Sequence, residues 1–97
     1  MGKARAGWWA YAKHMIRRYP DADSENEREA VRLAIEETLR RRNGCDRMAV
    51  VRMVLMEGTH NLAGAALQVP CSEHTARMYH MEFIRTVGRN FKCDGLK

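Results

Sequence analysis

The chain has 97 residues, 45% of them hydrophobic, and a formal net charge of +5 at pH 7 with a pI near 9.5. So short a chain holds one domain, 1–97, with little margin for a core, and its apolar content excludes wholesale disorder. No apolar run approaches the ~18–20 residues of a membrane span, and the basic N-terminus is not followed by a signal-type apolar stretch, so a cytoplasmic protein without membrane contact is expected.

The charge is unevenly spread. Residues 1–20 carry five basic side chains and no acid, and residues 21–30 carry five acids and one arginine. Basic ends around an acidic patch are compatible with a polyanionic partner. The three cysteines, Cys45, Cys71 and Cys93, form no close pair, which argues against a disulfide framework and for a reducing compartment. Cys71 and His74 share a zinc-like spacing, with His60 and His80 nearby, but the second half of a finger is missing. Neither a metal nor a cofactor is expected.

Almost everything reads at helical period and nothing alternates like a strand. A first helix is expected from about Lys3 to Tyr19, with Trp8, Ala12, Met15, Ile16 and Tyr19 inward and Lys13, Arg17 and Arg18 in water. Pro20 ends it, because the residue before proline is pushed out of the helical region, and residues 20–23 read as a turn. Ser24 and Glu27 make a capping box for a second helix, about Glu25 to Arg42, with Val31, Ala34, Ile35, Thr38 and Leu39 inward. Its acidic first turn and its closing run Arg40–Arg42 complement the helix dipole; a phosphate clamp is the other reading of that run. Asn43–Gly44 is expected to stop this helix.

Asp46 is expected to cap a third helix, about Arg47 to Glu57, with Met48, Val51, Val54 and Leu55 inward and Gly58 at its end. Thr59 or Asn61 caps a short fourth helix to Gln68. The fifth runs from Ser72 to about Phe91, where Ala76, Tyr79, His80, Phe83, Val87 and Phe91 follow the 3–4 spacing of a docked stripe. The seven methionines read as core filler. The predicted class is therefore all-α with about five helices: an N-terminal pair over 1–44, a second unit over 45–91, and a tail over 92–97.

No catalytic constellation stands out. "NLAGAAL" lacks the Gly–Lys–Ser ending of a phosphate loop, and nothing at motif spacing pairs a nucleophile with a base. An enzyme is not expected.

The segment LAGAALQVPCSEHTARMYHMEFIR, residues 62–85, has two helices about four residues apart, the frame of a helix-turn-helix. Ala65 and Ala66 are small where the helices cross. Val69 and Cys71 can fill the space under the turn, Ser72 is a strong N-cap type, and Ala76 and Tyr79 face inward. His74, Arg77, Met78 and Met81, flanked by Glu73, lie outward at the start of a long final recognition helix.

These residues resemble the helix-turn-helix of sigma-factor region 4 and of LuxR-type regulators, in which an Ile-Ala step precedes Ser-x-x-Thr-Val and a basic residue. Ala65–Ala66, Ser72, Thr75–Ala76 and Arg77 stand at those places. The wider span, about residues 46–91, also resembles small phage and prophage regulators of the RinA and ArpU type. The resemblance implies a double-stranded DNA-binding transcriptional regulator, phage or prophage encoded. Ser72 and Thr75 would bond phosphates, Arg77 would read a base edge or a phosphate, and Arg85, with Arg89, would at most meet the backbone. The turn carries Pro70 where the family usually has glycine, and proline cannot take a positive φ, so the turn must be built differently.

Two alternatives stand beside this reading: a DNA-packaging or recombination accessory using the same motif, and a helical protein-interaction module, for example one that binds RNA polymerase without DNA. A homodimer through the first helix is also expected. Trp8 and Trp9 lie about 100° apart on the helical wheel, too wide for one shallow stripe to hide both, and exposed tryptophan marks interaction surfaces.

Overall fold

The computed structural model describes residues 2–19, 21 and 24–96, with side chains for 9–19, 21 and 24–91. Among these the chain is all-helical: α1 Gly2–Arg18, α2 Glu25–Arg40, α3 Gly44–Val51 continuing into a π turn Arg52–Met56, α4 Leu62–Gln68 and α5 Glu73–Leu96. No described helix is long and apolar enough to cross a membrane.

Two apolar clusters hold the helices together. The larger joins Ala12, Met15 and Ile16 of α1, Ala30, Val31 and Ala34 of α2, Met48 and Val51 of α3, Leu55 of the π turn, and Phe83, Ile84 and Val87 of α5. Each large side chain buried there stabilises by about 1.5–3 kcal/mol. The smaller cluster joins Val50 of α3, Ala65 and Ala66 of α4, and Ala76 of α5. The helix α5 belongs to both, so the N-terminal helices and the α4–α5 segment share one spine.

Local chemistry explains most boundaries. The backbone N–H of Glu27 donates to Ser24 Oγ at 3.3 Å, the first half of the expected capping box. The helix α2 stops at Arg40, two residues before the expected end, because Arg41 is already extended. Leu39, expected inward, is 50% exposed, and Ala30, not expected inward, is fully buried. Pro20 lies outside the described residues; Asp21 N–H donates to the Arg18 carbonyl at 2.7 Å.

The third helix begins earlier than Asp46 would allow. Asn43 takes the left-handed conformation at φ 60°, which asparagine tolerates better than most residues, and Gly44 is then the first helical residue. A Cβ at Gly44 would sit 2.5 Å from the Leu39 carbonyl oxygen, so α3 starts directly against the end of α2. Asp46 instead falls in the first turn, where its charge favours the dipole. At the far end, Glu57 N–H donates to the Arg52 carbonyl at 2.8 Å, five residues back, which defines the π turn. Gly58, at φ +67°, then reverses the chain under the Arg17 guanidinium.

Gly44→Ala should cost about 2–3 kcal/mol, the upper part of the range for overpacking, because the obstructing atoms are backbone and cannot rotate away. Urea denaturation measures this as a lower midpoint at constant slope; an unshifted midpoint would show that α2 and α3 do not meet this closely.

Candidate nucleic-acid interface

Asn61 caps α4 by accepting from the Gly64 N–H at 2.8 Å; Thr59, the other candidate, bonds His60 Nδ1 instead. The small side chains of α4 face α3 and α5: Ala65 is 0% and Ala66 4% exposed, and Ala76 on α5 is 0% exposed. Leu62, Val69, Cys71 and Tyr79 close around them. The turn itself needs no positive φ. Val69 is right-handed, and Val69 and Cys71 N–H donate to the Ala65 and Ala66 carbonyls at 3.0 and 2.9 Å. Pro70 thus sits between two donors in a place where its missing N–H is not required.

Beyond the turn, Ser72 caps α5. Its Oγ accepts from the Thr75 N–H at 3.0 Å and donates to Thr75 Oγ1 at 2.9 Å. A hydroxyl has one proton, so Ser72's is committed to Thr75 and the Thr75 hydroxyl proton is left to donate elsewhere. Glu73, His74, Arg77 and Arg85 are exposed, as is Met78 at 39%. Arg77 reaches back to Glu73 at 3.6 Å, both side chains 55% exposed, a pair worth little in water. The remaining member of the expected outward set, Met81, is half-buried in a cleft between α1 and α5.

Other basic residues are committed to the fold. Arg47 lies 4.8 Å from the Tyr79 ring centroid, donates to the Arg42 carbonyl at 3.0 Å and pairs with Glu82. Arg41 bridges Glu37 and Glu82 at 3.5 and 3.6 Å, and Arg89 meets Glu37 at 2.7 Å. The run Arg40–Arg42 therefore serves partly as a tie between α2 and α5, and Arg89 turns toward α2.

No protein-family model, curated protein or solved structure matches this chain.

On α1, Trp8 has its side chain outside the described residues, and Trp9 is half-buried against the larger cluster. Tyr11 stays 41% exposed, with its hydroxyl donating to Glu27 at 2.7 Å and its ring edge-on to Phe91. Its hydroxyl pKa is raised, first by that hydrogen bond to Glu27 and then by burial and the carboxylate charge.

Sequence reasoning placed His80 on the inward stripe without giving it surroundings. It is half-buried, and Nδ1 is buried with no hydrogen-bond partner. Its pKa is lowered, first by burial and then by the charges of Lys13 and Arg77. That convergence joins α1 to α5, and only a tertiary contact could reveal it.

A histidine with a depressed folded pKa binds its proton more readily when unfolded. It contributes stability above the ~6.5 of a free imidazole, and that stability is lost as pH falls through the folded value. The melting temperature of the native protein should therefore fall more between pH 7.5 and 5.5 than that of His80→Gln; parallel curves would mean that His80 is not held neutral.

Proposed function

We propose that α4 and α5 form a helix-turn-helix and that the protein is a double-stranded DNA-binding transcriptional regulator of the phage or prophage kind, cytoplasmic and without catalytic activity. The observation that carries this reading is the contrast along the first turns of α5. Ala76 is fully buried against Ala65 and Ala66, while Glu73, His74, Arg77 and Met78 are exposed around a Ser72-capped N-terminus. The fit to a duplex is physical: a helix N-terminus favours phosphate, and an exposed arginine one turn in can make a bidentate contact to guanine. Arg85, exposed two turns further on, would at most meet the backbone, and the half-buried Met81 contributes to packing more than to reading. A packaging or recombination accessory would use the same face.

One observation favours a protein partner such as RNA polymerase. Leu67 on α4 is 81% exposed within a residue of the turn, an apolar side chain that a duplex would not need. Salt separates the two readings. Counterion release makes duplex affinity fall steeply and log-linearly with salt concentration, whereas an apolar protein contact is far less sensitive.

Arg77→Ala should weaken duplex binding by about 1–3 kcal/mol at a guanine contact, or reduce the salt slope by about one at a phosphate. The melting temperature should stay unchanged, since Arg77 is exposed. Fluorescence anisotropy at several salt concentrations measures both quantities, and an unaltered affinity and slope would remove Arg77 from the interface.

The proposal includes a homodimer through α1, because one helix-turn-helix makes few contacts and a two-fold pair doubles them. The residues expected at that interface are Trp8, whose side chain lies outside the described residues, and Trp9, which is half-buried, with Tyr11 41% exposed beside them. Sedimentation at micromolar concentration should give twice the 11.2 kDa chain mass, reduced toward the monomer in Trp9→Ala; a native mass of one chain would exclude the dimer.

A further inference from the structure

The DNA reading leaves unused an open cleft of about 440 Å³ between α1 and α5. That volume lies within the range of small-molecule sites. Its walls are divided by chemistry. Trp9 from α1, Leu62 from α4, and Met81 and Ile84 from α5 make an apolar surface. Lys13 from α1 and Arg77 and His80 from α5 line the same space. Among the described residues no carboxylate lines it; Glu73, one turn before Arg77 on the same helix, meets Arg77 at 3.6 Å outside the lining, with both groups more than half exposed.

We propose that this cleft binds a small organic anion, with its apolar body against Trp9, Leu62, Met81 and Ile84 and its anionic group between Lys13 and Arg77. Two positive side chains from different helices line the same cleft beside an apolar wall, and the acid that Arg77 meets is the exposed Glu73. An apolar wall beside cationic groups is complementary to a ligand that carries both an apolar body and a negative charge. His80, on the same wall, is acted on by both cations: burial first, and then Lys13 and Arg77, lower its pKa. A duplex phosphate would satisfy the charges but leave the apolar wall uncovered, which is why an organic anion fits better. Arg77 is shared with the proposed DNA face, but the site depends on the cleft alone and not on that reading.

The probe is 1-anilinonaphthalene-8-sulfonate, with uncharged N-phenyl-1-naphthylamine as the same aromatic body lacking the anion. Fluorescence titration of the full chain should give one sulfonate per chain, bound about tenfold or more tighter than the amine, the increment expected of a charge-assisted hydrogen bond. Lys13→Met should weaken the sulfonate about tenfold and leave the amine unchanged. Ala10→Trp, on the exposed rim of the cleft, should abolish binding of both compounds by filling the space. Circular dichroism confirms that each variant is folded. Equal affinity for the two compounds, or an unchanged affinity in Lys13→Met, would overturn the proposal. So would inorganic phosphate that binds as tightly as the sulfonate, because the apolar wall would then contribute nothing.

Discussion

The close approach of α4 to α5 depends on methyl groups. Ala65, Ala66 and Ala76 meet beneath Val50 with almost no exposed surface, and a larger side chain at these positions would overpack the crossing and force its side chains and backbone to shift. Protein interiors are packed too densely to absorb that change. The separation of these two helices fixes where Ser72 caps α5 and hence which of its residues reach solvent first. The exposed group around Glu73, His74, Arg77 and Met78 is thus a consequence of alanine packing on the other side of the same helix.

The helix α5 carries that arrangement into the rest of the molecule. Phe83, Ile84 and Val87 lock its middle into the larger cluster with α1, α2 and α3, and the ion pairs of Arg41, Arg47 and Arg89 with Glu37 and Glu82 tie its flank to α2 and α3. These pairs are partly exposed and contribute modestly one by one; their value is in fixing rotation about the helix axis. The start of α5 is consequently held by apolar burial further along the helix, and its first turns can present polar groups without carrying the fold.

Much of the helical architecture was readable from residue spacing, because apolar periodicity, the Ser24 and Asn61 caps and the Ala65–Ala66 pair are all local signals. Failures came where a backbone contact overrode a local rule. Asp46 is a good capping residue, yet α3 begins at Gly44, since a residue without Cβ allows its backbone against Leu39. Leu39 fits the apolar stripe of α2 but lies beside the end of the helix, with half its surface exposed. The π turn at Arg52–Met56 has no sequence signature of its own. Within the candidate site, Ser72 and Ala76 were placed from the motif alone. Met81 was not, because α1 packs beside it and turns an outward position into a cleft wall, and the meeting of Lys13 with His80 was equally invisible, the two lying on helices far apart in sequence.

Selection of bound sequences from a random duplex library tests the central claim most directly, since it asks for recognition without assuming a target. Enrichment of a defined site, with binding that weakens steeply as salt rises, is the expected result. A folded protein that enriches no sequence, and whose residual duplex binding is absent even at low salt, would contradict the assignment of α4 and α5 to DNA recognition.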